Sequence, residues 1–544
     1  MTTADLRVAV EDPLVADKYQ LKPETIRIDT EAFFLDGPVG SRVAIVDRDP
    51  ATGELAAVRW DGQRRYVAPD DLSTPEAIAV SVFGIVLQTL ALFERKDVLG
   101  HKIRWQFDSP QLLVVPRAGT WANAFYDRYS QSLQFFSFDG PEGARVHTAL
   151  SRDIVSHETG HAILDALAPA LYDALSPQTL ALHESIGDLT ANLMALQSRQ
   201  VRRWLLRTRN GDLTGSSPVT ELAAQFGEAL QRNRPLRDAA NKLTLSEVDE
   251  QEPHSLSQVL TGAVWATMVE MHKHAISRAE SEPSAEEPPL GKALAVSALR
   301  MGRILFRALD YLPPAEATFA DYARAMLRSD TVAYREDDTG YRVFLQEEFV
   351  RRGIVPTQGE LACDPPCTEV DVDLEDVLES DWAAYAFAER EREMLRIPPK
   401  VPFRLFPRRD VLRRYYTGNR QHEDRREIVF QVTWEQPEEN SGFPLIPRRR
   451  AVFHGTTLVL GGAPLGQGRH EVLSCLTTDR SAYQVEARDK LVRALAERGL
   501  VQVAKSWRSG NINPFAPTVF GRVADDTLRL RGTARLLHLA EAEA

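Results

Sequence analysis

The amino-acid sequence predicts an α+β protein in which a strand-rich part is followed by a long helical part and then by a second mixed part. Three observations support this fold class. Strand-like apolar runs stand at residues 111–116 and 132–138. From residue 151 to about residue 355 the apolar residues recur mainly at helical spacing. Within residues 382–544, strand-like runs mix with a helical segment.

Changes in composition divide the chain into five segments. At 544 residues it is long enough for about two to four domains. Near the start, two short apolar runs joined by a Pro- and Gly-containing turn predict a β-hairpin, and Pro75 then opens a long helical pattern. The predicted segments are a preface with the hairpin (1–75), a strand-rich lobe (76–150), a helical lobe (151–355), an acidic linker (356–381) and a C-terminal α+β domain (382–544).

Composition and termini exclude several classes of protein. Lys and Arg total 65 against 77 Asp and Glu, a net charge of −12, which argues against a general nucleic-acid-binding protein. The three cysteines are too few for a disulfide framework. The first residues lack the pattern of a secretory signal, and the longest apolar stretch, 77–93, is too short and too polar to span a bilayer. We therefore expect no membrane association and a cytoplasmic location, with leaderless secretion as the alternative.

A metal-binding pattern stands near the start of the helical part. His157-Glu158-Thr159-Gly160-His161 is an HExxH motif. Residues four apart share a helix face, so both histidine rings can reach one metal ion. Glu158 is rotated about 100° from His157 and can address a water molecule at the metal instead. The alternative is two solvated or core histidines, and a third ligand would discriminate between the two interpretations.

A second helical segment offers that ligand. Glu184 and Asp188 stand four apart, and Glu184 lies 23 residues beyond His161, enough for a turn and a returning antiparallel helix. Two histidines and one glutamate with an open fourth position form a catalytic type of zinc site. Asp188 can then accept the N–H of a histidine ligand and fix its tautomer. The alternative is a solvated acidic helix face.

A later pair of residues adds a hydrogen-bond donor. Asp249 and His254 stand five apart just before a helical run. An imidazole oriented by an aspartate can donate to the oxyanion of a tetrahedral intermediate. The alternative is a loop histidine beside the start of a helix.

Together these motifs resemble those of the thermolysin family of zinc metallopeptidases, within the gluzincins. The resemblance covers about residues 76–355 and follows the family's order along the chain. It implies a two-lobed catalytic unit, with a mixed β lobe, a mostly helical lobe and the zinc helix at the floor of the cleft between them. The matching segments are NAFY at 123–126, HETGH at 157–161, Tyr172, ESIGD at 184–188, Leu236-Arg237, the pair Asp249 and His254, and MGRILFRALDYL at 301–312.

The resemblance also implies a role for each site residue. One Zn²⁺ per chain is held by three ligands, and a metal-activated water attacks the peptide bond with a glutamate as general base. An edge strand holds the extended substrate. The implied roles are metal ligands for His157, His161 and Glu184, ligand orientation for Asp188, general base for Glu158, oxyanion donors for Tyr172 and His254 with Asp249 orienting His254, and substrate binding for Asn123, Ala124 and Arg237.

The predicted function is therefore a zinc-dependent endopeptidase acting on a peptide or protein. The alternatives are a protease fold kept as a scaffold or binding protein, and a zinc hydrolase of a non-peptide amide. Asp153 matches a calcium-ligand position of the family, but Ala195 stands where calcium-binding members have a glutamate, so no double calcium site is predicted. Residues 382–544 match nothing in the family and are a candidate region for binding an unidentified partner.

Overall fold

The computed structural model of the protein shows a mixed α+β structure, as the sequence predicts. It consists of a strand-rich part, a helical part and a second sheet near the C-terminus. The described residues are 2–48, 52–53, 55–140, 143, 145–230, 232, 234–281, 289–337, 340–417, 421–439, 449–466, 468–478, 482–504, 519–524 and 527–531.

The N-terminal part combines short strands with one long helix. Where the sequence predicts a hairpin, β6 pairs with β7, but residues 43–45, the expected first strand, join another sheet. Residues 49–51 and 54 of the predicted hairpin turn lie outside the described residues. The elements are β1 (Ala4–Val8), α1 (Pro13–Lys18), β2 (Glu24–Ile28), β3 (Phe34–Leu35), β4 (Val39–Gly40), β5 (Val43–Ile45), β6 (Asp47–Arg48), β7 (Leu55–Ala56), α2 (Pro75–Phe93), β8 (Leu112–Val115), β9 (Ala124–Asp127), β10 (Ser132–Phe135), β11 (Ser137–Asp139) and β12 (Arg145–His147).

The main sheet of this part has the strand order β3-β4-β5-β8-β10-β9. β8 runs parallel to β5 and to β10, whereas β9 is antiparallel to β10 and forms one edge. Strands from 1–75 and from 76–150 thus share one sheet. The predicted boundary at residue 75 does not separate two units, because β5 and β8 pair directly through their backbones.

Helix α2 crosses the core behind this sheet. The hydroxyl of Thr74 accepts the N–H of Ala77, and Pro75 occupies the first turn, which together begin the helix. Contrary to the expectation from sequence, α2 is long and apolar enough to cross a bilayer, with a mean hydropathy of 2.0 over 18 residues. Since 83% of that window is buried within the protein, packing against β1, β5 and the first helix of the next part accounts for its apolar character.

The helical part carries most of the candidate site residues. Its second long helix packs between the first and the helix that begins at Pro253. A two-stranded pair, β13 with β14, lies beside them. The elements are α3 (Arg152–Leu167), α4 (Pro169–Asp173), α5 (Pro177–Ala195), α6 (Arg199–Thr208), β13 (Glu221–Leu222), α7 (Ala224–Ala229), β14 (Arg237–Asp238), α8 (Pro253–Ser281), α9 (Pro289–Arg307), α10 (Phe319–Ala333) and α11 (Tyr341–Arg351).

The C-terminal part is built on a nine-stranded sheet. Residues 356–381 do not form the predicted linker, because β15 pairs with β20 and the side chains of Val370, Leu374 and Val377 enter the core of this part. The elements are β15 (Glu369–Asp371), α12 (Leu374–Glu379), α13 (Asp381–Arg390), β16 (Phe403–Leu405), β17 (Arg409–Thr417), β18 (Gln421–Glu439), β19 (Arg449–Gly466), β20 (Arg469–Thr477), α14 (Ala482–Glu497), β21 (Val501–Ala504), β22 (Val519–Ala524) and β23 (Thr527–Arg531).

The sheet of the C-terminal part docks on the helical part through apolar and charged contacts. Val429 and Val459 belong to the same hydrophobic core as the helices. Next to them, Glu427 is fully buried between Arg307 of α9 and Arg413 of β17, with Arg413 Nη1 2.7 Å from Glu427 Oε2. Removing one member of such a group leaves an uncompensated buried charge at a cost of about 3–5 kcal/mol. The two parts are therefore joined by an interface that resembles a domain interior.

The preface docks at the start of α3 through buried carboxyl groups. Ser151 donates from its hydroxyl to Asp12, 2.8 Å away, and to Asp153. Asp153, which matches a calcium-ligand position by resemblance, here accepts the backbone N–H groups of Ile154 and Ala223. Burial, reinforced by the charge of Asp153, raises the pKa of Asp12 to about 7.

We expect this carboxyl to make the stability of the protein depend on pH. A folded-state pKa above the unfolded value means that the folded state binds more protons, so Asp12 contributes stability at low pH that is lost as pH rises from about 4 to about 7. Across this range the free energy of unfolding of Asp12→Asn should fall less steeply than that of wild type, by up to about 1.4 kcal/mol per pH unit. The measurement is the free energy of unfolding in urea at pH 5 and pH 8. Asp17→Asn, exposed on the same helix, is the control. Parallel pH profiles for wild type and Asp12→Asn would contradict this prediction.

Candidate metal centre

Two glycines let α3 and α5 approach closely at the centre of the helical part. A Cβ atom on Gly160 would lie 3.3 Å from the Cα atom of Gly187. A Cβ atom on Gly187 would lie 2.6 Å from both Cε1 and Nδ1 of His157. The His157 ring thus fills the space that a side chain at position 187 would need. This approach brings the histidines of α3 against the carboxylates of α5.

Three histidine rings converge on one buried carboxylate. Nε2 of His157 lies 3.4 Å from Oε2 of Glu184, and Nε2 of His161 lies 3.5 Å from Oε1. Nε2 of His254, at the start of α8, lies 3.5 Å from Oε2 of the same residue. Glu158 is close as well, since ligand atoms of His157, Glu158 and His161 all lie within 4.8 Å of one another. The structure thus brings together residues from three helices that the sequence analysis selected.

The outer nitrogens of the two α3 histidines also have buried partners. Nδ1 of His157 lies 3.1 Å from Oδ1 of Asp188, the arrangement expected for an orienting carboxylate. Nδ1 of His161 lies 3.2 Å from Nδ1 of His183, so one of these two rings donates to the other. The sequence analysis did not assign His183 to the site. Its position beside Glu184 was the available signal, but a helix neighbour normally points about 100° away.

The charges of the site perturb its titratable groups strongly. Burial alone would raise the pKa of Glu184, but the neighbouring histidines, His254 first, outweigh it and hold that pKa well below its usual value. Burial would lower the pKa of His157, yet hydrogen bonds to Asp188 and Glu184 raise it to about 10. The carboxylate is therefore ionised at neutral pH. A metal ion would have to displace the proton of His157, which makes metal binding dependent on pH.

Glu158 faces the edge of the main sheet. The backbone N–H of Tyr126, in β9, donates to Oε2 of Glu158 over 3.0 Å. The Glu158 carboxylate thus lies between the histidine cluster and the edge strand β9. This contact could not be derived from the sequence, because it depends on how β9 lies across α3.

The predicted substrate-binding segment lies in and beside the same strand. Ala124 begins β9 and lines a cavity together with His157, Glu158 and Arg237. Its N–H, however, donates to Oδ1 of Asn123 over 2.8 Å, and Asn123 is fully buried. Within the described part of the chain, Nδ2 of Asn123 has no acceptor. The Asn123 side chain therefore points inward in this structure and would have to rotate before contacting a substrate.

The structure replaces the predicted partner of His254. Nδ1 of His254 lies 2.9 Å from Oε1 of Glu252, whereas Asp249 accepts the N–H of Gln251 in a turn. In this structure Glu252, and not Asp249, faces the ring of His254. Pro253 starts α8, so Glu252 immediately precedes the helix and folds back onto its first turn, where it also accepts the N–H of His254.

Arg237 lies against the carboxylates of the cluster. Its Nη1 lies 3.3 Å from Oε2 of Glu184, and its Nε lies 3.0 Å from Oδ1 of Asp188. In this structure the guanidinium pairs with the buried carboxylates, and its contact with a substrate carbonyl stays a prediction. Their concentrated negative charge attracts the guanidinium more strongly than a neutral carbonyl would.

Tyr172 is buried, with 6% of its surface exposed, and its ring centroid lies 6.0 Å from that of His183. Its ring lies 4.3 Å from the guanidinium carbon of Arg128, and its hydroxyl accepts the backbone N–H of Arg128 over 3.4 Å. Burial, helped by Asp127 and Asp165, raises the pKa of Tyr172 well above its usual value. The hydroxyl thus keeps its proton at neutral pH and remains a hydrogen-bond donor.

Comparisons with known proteins give a distant structural likeness and no sequence match. No family model matches it, and no curated protein matches it. Among solved structures, the precursor of protealysin, a metalloproteinase from Serratia proteamaculans, matches 60% of this chain and 90% of its own. The identity is 17% and the TM-score is 0.38. This likeness is too distant to assign a family or an activity. The site by itself defines the chain as a protein with a buried His/Glu/His cluster that could hold a metal ion.

Proposed function

We propose that the protein is a zinc-dependent endopeptidase. One observation carries this proposal, namely the separation of the donor atoms around Glu184. Two donors bound to one tetrahedral zinc at about 2.0–2.1 Å lie about 3.3–3.4 Å apart. Nε2 of His157 lies 3.4 Å from Oε2 of Glu184 and Nε2 of His161 lies 3.5 Å from its Oε1, so each histidine has a Glu184 oxygen close to that separation.

The ligands we propose are His157, His161 and Glu184, with Asp188 orienting His157. Zinc bound there lowers the pKa of water to about 7 and polarises a carbonyl oxygen. Two neutral histidines and one carboxylate leave a net positive charge and a free fourth position. With a metal at the site, Arg237 would share Glu184 with it and keep its ion pair with Asp188.

Glu158 is the proposed general base. It lies in the histidine cluster, and its carboxylate accepts the N–H of Tyr126. In that position it can take a proton from the attacking water and return it to the leaving amine. The backbone N–H of Tyr126 fixes the carboxylate through its Oε2 atom.

The substrate we propose is an extended peptide added at the edge of the main sheet. β9 is the edge strand and lies directly beside Glu158, so main-chain pairing would bring a scissile bond to the cluster. His254, oriented by Glu252, and Tyr172 would donate to the developing oxyanion. The resemblance to thermolysin-type peptidases in HETGH, ESIGD and NAFY supports the same assignment.

Metal binding gives the first test of this proposal. We expect one equivalent of zinc per chain, and we expect zinc at about 100 times its Kd to stabilise the protein by about 2.7 kcal/mol against unfolding. His161→Ala should lose most of this stabilisation, because it removes a ligand. His274→Ala, exposed on α8, is the matched control. Equal zinc content in wild type and His161→Ala, by elemental analysis, would contradict the assigned site.

Peptide cleavage gives the second test. Zinc-loaded protein should hydrolyse members of a broad peptide library, and a chelator should stop the reaction. Bound zinc without any turnover would favour a scaffold or binding protein, and turnover of simple amides alone would favour a non-peptide hydrolase.

A further inference from the structure

The segment that carries Tyr172 is covered by the C-terminal part of the chain. Tyr172 lies in α4, and the chain then turns into α5, the helix of Glu184. At this turn Leu175 and Leu180 pack in one buried cluster with Leu491 and Leu495 of α14 and with Val519 of β22. The apolar side of the Tyr172 corner (residues 172–176) is therefore closed by residues more than 300 positions later in the chain.

A charged contact joins the same corner to the last described strand. Asp173 accepts both of its hydrogen bonds from Nη1 of Arg128, each at 3.1 Å, and its Oδ1 lies 3.3 Å from Nε of Arg531 in β23. Arg128 in turn holds Tyr172, through its guanidinium above the ring and its N–H at the hydroxyl. Asp173 thus connects Arg531 with the group that fixes the Tyr172 side chain.

A second polar connection runs through Glu316. Burial raises the pKa of Glu316, while the charges of Arg488 and Arg450, and to a lesser extent the nearby backbone N–H of Leu175, oppose that rise. Oε2 of Glu316 lies 3.5 Å from Nη1 of Arg488 in α14, and Arg488 Nε donates to Glu438 of β18 over 3.1 Å. Glu316, close to the Tyr172 corner, is therefore paired with the same C-terminal elements that the apolar side chains of the corner contact.

We propose that the C-terminal part of the chain positions Tyr172 for catalysis and that Arg531 and Asp173 are positioning residues. The inference rests on the proposed function, because Tyr172 matters only if it donates to an oxyanion. Such a donor acts only when it is held within about 0.5 Å of its productive place. No substrate contact is needed from Arg531 itself.

The exposure of this ion pair separates positioning from folding. The side chains of Arg531 and Asp173 are 48% and 25% exposed. Pairs this exposed contribute little to the stability of a protein. Replacing Arg531 should therefore leave the protein folded and change the corner locally.

The test compares Arg531→Ala, Arg531→Lys and Arg529→Ala. Arg529 lies on the same strand but pairs with Glu435 of β18, 2.9 Å away, so its variant is a matched control. We expect Arg531→Ala to lower kcat about five- to tenfold with KM changed less than twofold. Arg531→Lys, which keeps the positive charge, should have a kcat within twofold of wild type. In a Tyr172→Phe background, Arg531→Ala should cause no further loss. A kcat unchanged in Arg531→Ala, or lowered equally in Arg529→Ala, would overturn the inference.

Hydrogen exchange supplies a readout that does not need activity. Backbone amides of residues 170–176 should exchange about tenfold faster in Arg531→Ala than in Arg529→Ala, in zinc-free protein as well. If no variant, including wild type, cleaves peptides, the proposed function fails while exchange still reports on the corner. Equal exchange at the corner in all variants would overturn the positioning role even in an active enzyme.

Discussion

Glu158→Gln is expected to lower kcat/KM for peptide hydrolysis by about 10²–10⁴ while zinc content stays unchanged. Glutamine has the same shape and keeps an oxygen that can accept the N–H of Tyr126, so the local structure should persist. It cannot take up a proton at neutral pH. Because Glu158 is not one of the proposed ligands, the loss should fall on turnover rather than on metal binding.

The measurement is hydrolysis of a peptide library by both proteins after loading with zinc, beside elemental analysis. Glu347→Gln, exposed on α11, is the control for an isosteric change at a glutamate. Equal hydrolysis by wild type and Glu158→Gln across the library would exclude Glu158 as the base. Loss of zinc from Glu158→Gln would show instead that this carboxylate is a ligand.

Gly187→Ala is expected to weaken zinc binding at least tenfold and to destabilise the fold. A methyl group there would lie 2.6 Å from the His157 ring, so the ring must rotate or α3 must move away from α5. Either change separates His157 from Asp188 and Glu184. Loss of an orienting contact typically costs 10–100-fold in metal affinity, and overpacking costs about 1–3 kcal/mol of stability.

A second glycine in a helix supplies the control. A methyl group on Gly302, in α9, would lie 3.7 Å from Leu193, an ordinary contact. Gly302→Ala should therefore be neutral or stabilise the protein by up to about 1 kcal/mol through helix propensity. Zinc affinity from chelator competition and the midpoint of thermal unfolding measure both effects. Unchanged affinity and midpoint in Gly187→Ala would mean that the two helices are not closely packed.

Part of the candidate site could be predicted from spacing alone. Positions four apart share a helix face, which relates His157 to His161 and Glu184 to Asp188 without knowledge of the fold. The interval of 23 residues between His161 and Glu184 allows the second helix to return antiparallel to the first. Local helix geometry places each pair on one face, and the close packing of α3 on α5 at Gly160 and Gly187 brings the four side chains together.

Sequence spacing does not predict which residues outside α3 and α5 contact the site. Asp249 and Glu252 both precede His254 and both are acidic, and the start of α8 at Pro253 decides which one folds back to the ring. Arg237 was expected at a substrate, but its contacts follow from the position of β14 beside two carboxylates. Tyr126 stands within NAFY, but its backbone contact with Glu158 depends on how β9 lies against α3, and Arg128 belongs to none of the matching segments.

Domain boundaries were also hard to derive from composition. The preface and the strand-rich lobe differ in pattern, yet β5 and β8 pair in one sheet. Residues 356–381 are acidic, a feature typical of linkers, but alternate apolar residues such as Val370 and Val372 are buried in the C-terminal core. A short strand needs few apolar residues, so its pairing partner decides its structure.

The late position of β23 in the chain has a consequence for biosynthesis. Arg531 is translated after the metal cluster and after Tyr172, and at about 5–20 residues per second the interval is roughly 20–70 s. During that interval the nascent polypeptide already contains the proposed metal ligands. It still lacks Arg531, the residue proposed to position Tyr172. Emergence of β23 from the ribosome would therefore set the time of activation, and full activity would appear only after that strand has been made.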